Sequence, residues 1–202
     1  MFTILLAAFK TLLSRYNGQQ DVVVGSPIAN RNHKEVEPLI GFFANTLILR
    51  TDLSGNPTFR ELLNRVRQVT VGALAHQDVP FEKLVEELRP ERDLNRNPLV
   101  QVLFVIQNAF KQAISMPGLT LNWESPARTV RFDLELHIWE TQNGLPGTFI
   151  YNTDLFDAAT IARMVGHFQT MLEAIGANPD CRLSDLPLLT EAERRQIPRC
   201  ST

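Results

Sequence analysis

The 202-residue chain carries 20 Lys and Arg against 22 Asp and Glu, a formal charge of −2, with 44% hydrophobic and 21% charged residues. This is the balance of a soluble globular protein with room for one substantial domain or two small ones. It excludes a basic nucleic-acid-binding surface, and no apolar run reaches the roughly 18–20 residues of a membrane span, so neither nucleic acid nor membrane is an expected partner. Phe2–Phe9 is apolar, but Lys10 interrupts it and no positive segment precedes it, which argues against a signal peptide. Cys181 and Cys200 match no metal-ligand spacing, so no metal is expected. So few cysteines fit a reducing, cytoplasmic setting.

The first predicted element is a helix, with Phe2, Leu5, Leu6, Phe9, Leu12, Leu13 and Tyr16 on one stripe and Asn17-Gly18 ending it. Nothing precedes it to cap its first turn, and the expectation is that an upstream part is missing. Asp21–Ile28 reads as a buried strand. After a polar loop, Ala29–Glu37, the second half of Ile40–Arg50 is strand-like, and Ser54-Gly55-Asn56-Pro57 is a turn. Phe59, Leu62, Leu63, Val66, Val69, Ala73 and Leu74 recur at helical spacing. A short helix follows Pro80, carrying Phe81, Leu84, Val85 and Leu88, with Asp78 placed to accept its first-turn amides and Pro90 closing it.

From there the period changes. Asn97-Pro98 leads as extended chain into Leu99–Gln107, a mostly buried strand. Leu119, Leu121 and Trp123 alternate with polar residues, and Phe132, Leu134, Leu136 and Ile138 do so strictly, as in a sheet with one covered face. Asn143-Gly144 is a hairpin dipeptide before a strand at Gly147–Asn152. Asp157 reads as the N-cap of a helix presenting Ile161, Val165, Phe168, Met171, Leu172 and Ile175, and Thr190 with Glu193 forms a capping box for a last short helix. The order predicts an α/β fold: a two-layer sandwich of a mixed β-sheet with helices packed on one face.

The chain lacks a nucleotide-binding glycine loop, a paired-histidine zinc motif and a nucleophile elbow. His33, His76, His137 and His167 are scattered, and the pattern puts the last two at a surface or an edge. No catalytic residue is assigned from these features.

Three segments carry a resemblance. Ile40–Arg50, IGFFANTLILR, resembles the I/V-G-x-F-x-N-T-x-x-x-R motif of condensation domains in nonribosomal peptide synthetases. His76–Glu82, HQDVPFE, resembles the family's next motif, H/N-Q-D-x-P-F-E. Arg92–Leu99, RDLNRNPL, is similar to R-D-x-S-R-N-P-L, with Asn95 in place of the usual serine. They stand in the family's order, and the likeness runs from Met1 to Ile197.

The resemblance implies a chloramphenicol acetyltransferase-like half, one of two related α/β halves facing across a tunnel. There, carrier proteins deliver aminoacyl or peptidyl thioesters on phosphopantetheine arms, and an amide bond forms in the biosynthesis of antibiotics and other secondary metabolites. The family's H-H-x-x-x-D-G signature, which belongs to the first half, is absent here. The expectation is therefore a carboxy-terminal subdomain at residues 1–189 with the start of a linker or tail at 190–202. Alone it should be inactive, with no cofactor bound directly. Its implied partners are the missing amino-terminal half, carrier proteins and an adjacent adenylation domain.

Asn45, Thr46, Gln77, Asp78, Arg92 and Asn97 are the residues expected to line or support the channel; none is a plausible nucleophile. Asn108–Pro126 is a candidate crossover segment, and a face built for a twin should expose apolar surface and permit self-association. Two other readings compete. One is a stand-alone acyltransferase that completes its site by dimerising, with His76 the histidine to test. The other is a non-catalytic docking module for carrier proteins.

Overall fold

The computed structural model describes residues 1–91, 93, 96–107, 130–141 and 143–196. In chain order these form α1 (Phe2–Asn17), β1 (Asp21–Ile28), β2 (Asn45–Asp52), α2 (Phe59–Ala75), α3 (Phe81–Leu88), β3 (Val102–Gln107), β4 (Leu134–Trp139), β5 (Gly147–Tyr151), α4 (Ala158–Ala177) and α5 (Glu191–Gln196). The strands lie side by side as β2-β1-β3-β4-β5. β1, β3 and β4 run parallel, and β2 and β5 are antiparallel edges. This is the mixed sheet of an α/β sandwich.

Alternation decides which side is covered. Val22, Val24, Leu47, Leu49, Phe104, Leu134, Leu136 and Ile138 share one face, and all are buried. α1, α2 and α4 lay their apolar stripes on it, through Leu6, Phe9 and Leu12, through Phe59, Leu62 and Val66, and through Met164, Phe168 and Met171. Phe9 is the knot of this core, its ring 5.9 Å from Phe104, 6.1 Å from Phe149 and 6.4 Å from Phe168.

Local chemistry sets the helix ends. Gly18 takes a left-handed φ of 72°, and its N–H donates to the Ser14 carbonyl at 2.8 Å, closing α1. Thr58 and Glu61 form a reciprocal capping box that opens α2.

Two expectations are corrected and one holds. β3 starts at Val102 rather than Leu99, because the Val100 N–H donates to the Pro98 carbonyl at 2.8 Å across Leu99, whose φ is 66°. That is a γ-turn of the rarer positive-φ kind, so Asn97-Pro98 reaches the strand through a reversal and not as extended chain. α3 closes as expected at Pro90: the residue before the proline, Arg89, is the C-cap, left-handed with φ 44°, and its N–H bonds the Val85 carbonyl. In α4 the 3-4-3-4 spacing of Ile161, Met164, Phe168, Met171 and Ile175 makes the buried stripe, which leaves Val165 exposed and Leu172 at its rim.

The second face of the sheet is approached closely at Gly25. A Cβ there would sit 2.8 Å from Leu103 Cδ2 and 3.2 Å from Val100 Cγ2. The missing side chain is what lets the segment before β3 close onto β1. The region expected to cross over, Asn108–Pro126, with Trp123, and Cys200 lie outside the described residues.

Candidate functional site

α3 begins at Phe81 with Pro80 in the N-cap position, which has no side-chain acceptor to offer. Asp78 does not supply one, contrary to the sequence expectation: it is exposed and stands two residues ahead of the cap. The acceptor comes from Asn45 at the head of β2. Its Oδ1 accepts the N–H of Phe81 at 3.1 Å and that of Thr46 at 2.9 Å. Its Nδ2 donates to the carbonyls of Gln77 at 2.9 Å and Val79 at 2.8 Å. Both donors and both acceptor sites of the carboxamide are used, so one side chain fastens segment 40–50 to segment 76–82. Gln77 takes part through its carbonyl. Thr46 pairs with Pro27 in the β1–β2 ladder and turns its methyl toward Gly25 on the second sheet face.

The loop before Asn45 is shaped by a residue that sequence reasoning passed over. Arg31 Nη1 donates to the carbonyls of Val36 at 2.5 Å, Glu37 at 3.2 Å and Leu39 at 2.8 Å, and Nη2 donates to that of Gly41 at 3.3 Å. Its guanidinium also lies 4.4 Å from the centre of the Phe43 ring. Gathered in this way, the loop holds Ile40 and Phe42 outward, with relative exposures of 105% and 94%.

Asn97 lies elsewhere. Its Nδ2 donates to the Arg131 carbonyl at 2.5 Å, and its own carbonyl accepts Gln101 Nε2 at 2.9 Å, which ties the γ-turn to the residues leading into β4. It lines a cleft of about 940 Å³ between α3 and residues 89–91, 93 and 96–101, together with Val85, Arg89, Asp93 and Arg96. Arg96 Nε is 3.9 Å from Asp93 Oδ2. Arg92 lies outside the described residues. The fold thus gathers Asn45, Thr46 and Gln77 into one cluster, with Asp78 in the exposed turn beside it, and places Asn97 in a separate cleft. His76 is exposed at the end of α2, with Nδ1 2.9 Å from the Gly72 carbonyl.

One histidine is corrected from a surface or edge position to an interior one. His167 is buried in α4, with Nδ1 2.7 Å from Tyr16 Oη on α1 and Nε2 3.0 Å from Glu193 Oε2 on α5. Burial raises the Tyr16 pKa, which keeps the phenol protonated beside the ring. Thr190, first through its hydroxyl and backbone N–H, and then His167 hold the Glu193 carboxyl below its ordinary range. His137 Nε2 is 2.7 Å from Glu135 Oε2 on the second sheet face, with both side chains largely covered. The alternation that hides Leu134 and Leu136 pointed outward for these two without showing that they meet.

Lys10 is the deepest such group. On α1, in register with Leu6 and Leu13, its fully buried Nζ donates to the Val22 carbonyl at 3.2 Å, to Thr51 Oγ1 at 2.9 Å and to the Leu49 carbonyl. Burial lowers its pKa to about 7, against the opposing pull of Asp21. Its helical spacing within the apolar stripe was the available signal. Among the described residues no three His, Cys, Asp or Glu side chains group to hold a metal, and no helix is long and apolar enough to cross a membrane.

Comparison with known proteins adds the family. The condensation-domain family model matches residues 1–198. The chain is 54% identical over 200 residues to one of the subunits of linear gramicidin synthase from Brevibacillus parabrevis, covering 98% of this chain and 3% of that one. The crystal structure of the X-domain from teicoplanin biosynthesis superposes with a TM-score of 0.85 at 33% identity, over 94% of this chain and 44% of that one. The first condensation domain of the CDA synthetase shares the fold, with a TM-score of 0.70 at 20% identity, over 93% of this chain and 42% of that one. The chain therefore spans a few per cent of its synthetase relative and less than half of each of these solved structures.

Proposed function

Since this chain belongs to the condensation-domain family, we propose that it forms the carboxy-terminal wall of a cleft where carrier-bound substrates are joined in nonribosomal peptide assembly. The acceptor's amine attacks the donor's thioester carbonyl; the C–N bond forms, the C–S bond breaks, and the departing thiolate ends as the protonated thiol of the donor's phosphopantetheine arm. Carrier proteins and an adenylation domain are its partners in this reading, and the cytoplasm its setting.

The observation that carries the proposal is the extent of the match: nearly the whole of this chain, but 42% of a solved condensation domain. The H-H-x-x-x-D-G signature does not occur in the 202 residues, and in this reading the complementary half brings it. A positioned base is worth about 10²–10⁴-fold in rate, and holding two reactants in register can be worth more; both effects need two walls. Asn45, Thr46, Gln77, Asp78, Arg92 and Asn97 then support the channel by shape, Asn45 through its four hydrogen bonds.

The test combines this chain with the complementary half of a relative's condensation domain and two loaded carriers, reading dipeptidyl carrier by intact-protein mass spectrometry. Product is expected only when both halves are present. Turnover by this chain alone would refute the proposal, as would equal turnover by the other half without it.

A further inference from the structure

The four histidines differ in what their rings can still do. His33 and His76 are exposed, and His167 has both ring nitrogens engaged. His137 is different. Its Nε2 is 2.7 Å from Glu135 Oε2, and the side chains are only 14% and 12% exposed. A carboxylate can only accept, so Nε2 carries the hydrogen of that bond and Nδ1 of the neutral ring keeps its lone pair. Trp139 stacks on the ring at 6.1 Å and 27°. The flanking strands set Val105 on one side of His137 and Thr148 on the other, with Gln107 opposite Trp139, and none of these is charged. Among the described residues no hydrogen bond reaches Nδ1, and no polar side-chain atom is sealed from water without a partner, so Nδ1 is open. A basic nitrogen left free while a carboxylate orients the opposite one is the arrangement of a general base.

Placement in the fold indicates which proton it serves. α1, α2 and α4 cover one sheet face, which leaves the second face to form the wall of a cleft. Over β1 the segment before β3 closes that second face at Gly25. Beside β4 it borders a hollow of about 500 Å³, lined by Val130, Asn152 and Ile150, the register partner of Glu135. We propose that His137, oriented by Glu135, is a proton acceptor for the attacking amine, supplied by this chain's own wall of the cleft. The inference rests on the proposed function above and names the chemical group that this half contributes to it.

A primary amine has two N–H bonds and one lone pair. Holding one hydrogen from each wall aims the lone pair at the thioester carbonyl. As the C–N bond forms, that nitrogen becomes positive; the N–H bond facing His137 breaks, its electron pair stays on nitrogen, and Nδ1 takes the proton. The imidazolium is paired with Glu135 until the C–S bond breaks, when it gives the proton to the departing thiolate. His137 is the catalytic residue in this step and Glu135 the positioning one.

The test uses the full 202-residue chain, co-expressed with the complementary half of a relative's condensation domain and supplied with two loaded carriers. Product is read as dipeptidyl carrier by intact-protein mass spectrometry. His137→Ala should lower kcat about 10²-fold, and added imidazole should restore part of it, which lost packing would not allow. Glu135→Gln keeps the side chain's size; it should lower kcat about tenfold with little change in KM for the acceptor carrier. It should also move the acid limb of the pH–rate profile to lower pH, because the imidazolium loses its paired carboxylate. In the chain alone, ¹⁵N-labelled histidine spectra in alkaline solution should show His137 as the Nε2–H tautomer. Melting temperatures report folding, and if His137→Ala does not fold, Glu135→Gln and the tautomer decide.

Undiminished turnover in folded His137→Ala, no response of that variant to imidazole, an unmoved acid limb in Glu135→Gln, or an Nδ1–H tautomer each overturns this inference and leaves the proposed function standing. Absence of product from the wild-type assembly overturns both.

Discussion

The Asn45 side chain begins a helix that it does not belong to: its Oδ1 accepts the Phe81 N–H at 3.1 Å, in place of the cap that Pro80 cannot provide. Asn45→Ala should cost about 1–3 kcal/mol in urea unfolding, since polar partners in a half-covered site lose their bonds together. Asn45→Asp should not rescue it, because a carboxylate would face the Gln77 and Val79 carbonyls that now receive N–H donors. Full stability in Asn45→Ala would mean that water replaces the carboxamide without loss.

Lys10 should leave a signature in the pH dependence of stability. Its folded pKa lies near 7 against an ordinary 10.5, so between these values the unfolded chain holds a proton that the folded chain lacks. Stability from this group is therefore complete above about 10.5 and is lost as pH falls toward 7, with a limiting slope of about 1.4 kcal/mol per pH unit. Denaturant titrations between pH 7 and 10 should show that rise in the wild type. In Lys10→Met the corresponding component should be missing.

At Gly25 the prediction is steric. Gly25→Ala puts a methyl 2.8 Å from Leu103 Cδ2 and should destabilise by about 1–3 kcal/mol. Adding Leu103→Val should recover part of that loss, a coupling that a double-mutant cycle in thermal or chemical unfolding would read directly.

The end of the described chain is held by polar bonds rather than by packing. α5 buries no residue, yet Glu193 on it reaches His167 and caps its own helix through Thr190. Glu193→Gln should speed hydrogen exchange across residues 191–196 and leave α1 and the sheet as they were. Because the Glu193 pKa is held below its ordinary 4.5, this protection should be present above that value in the wild type and disappear as pH falls through the lowered one. Equal protection factors at pH 7 and pH 3, each taken against the intrinsic exchange rate at that pH, would contradict the assignment.

Much of the fold was readable in one dimension because its causes are local. The alternation through Leu134, Leu136 and Ile138, the 3.6-residue recurrence through Leu5, Phe9 and Leu12, and glycine at position 18 each act over a few neighbouring residues. Three short motifs carried the family, since backbone turns and caps restrict residue type at fixed offsets. Legibility failed where the partner was distant in sequence. Asp78 looked like a cap because Asn45 could not be seen beside α3, and His167 looked peripheral because Tyr16 and Glu193 come from opposite ends of the chain. Lys10 read as an interruption because the carbonyls that receive it belong to two strands not yet assembled. Periodicity and turn chemistry are properties of a segment, whereas burial and hydrogen-bond satisfaction belong to the packed whole, where a polar group stays inside only if another segment arrives to meet it.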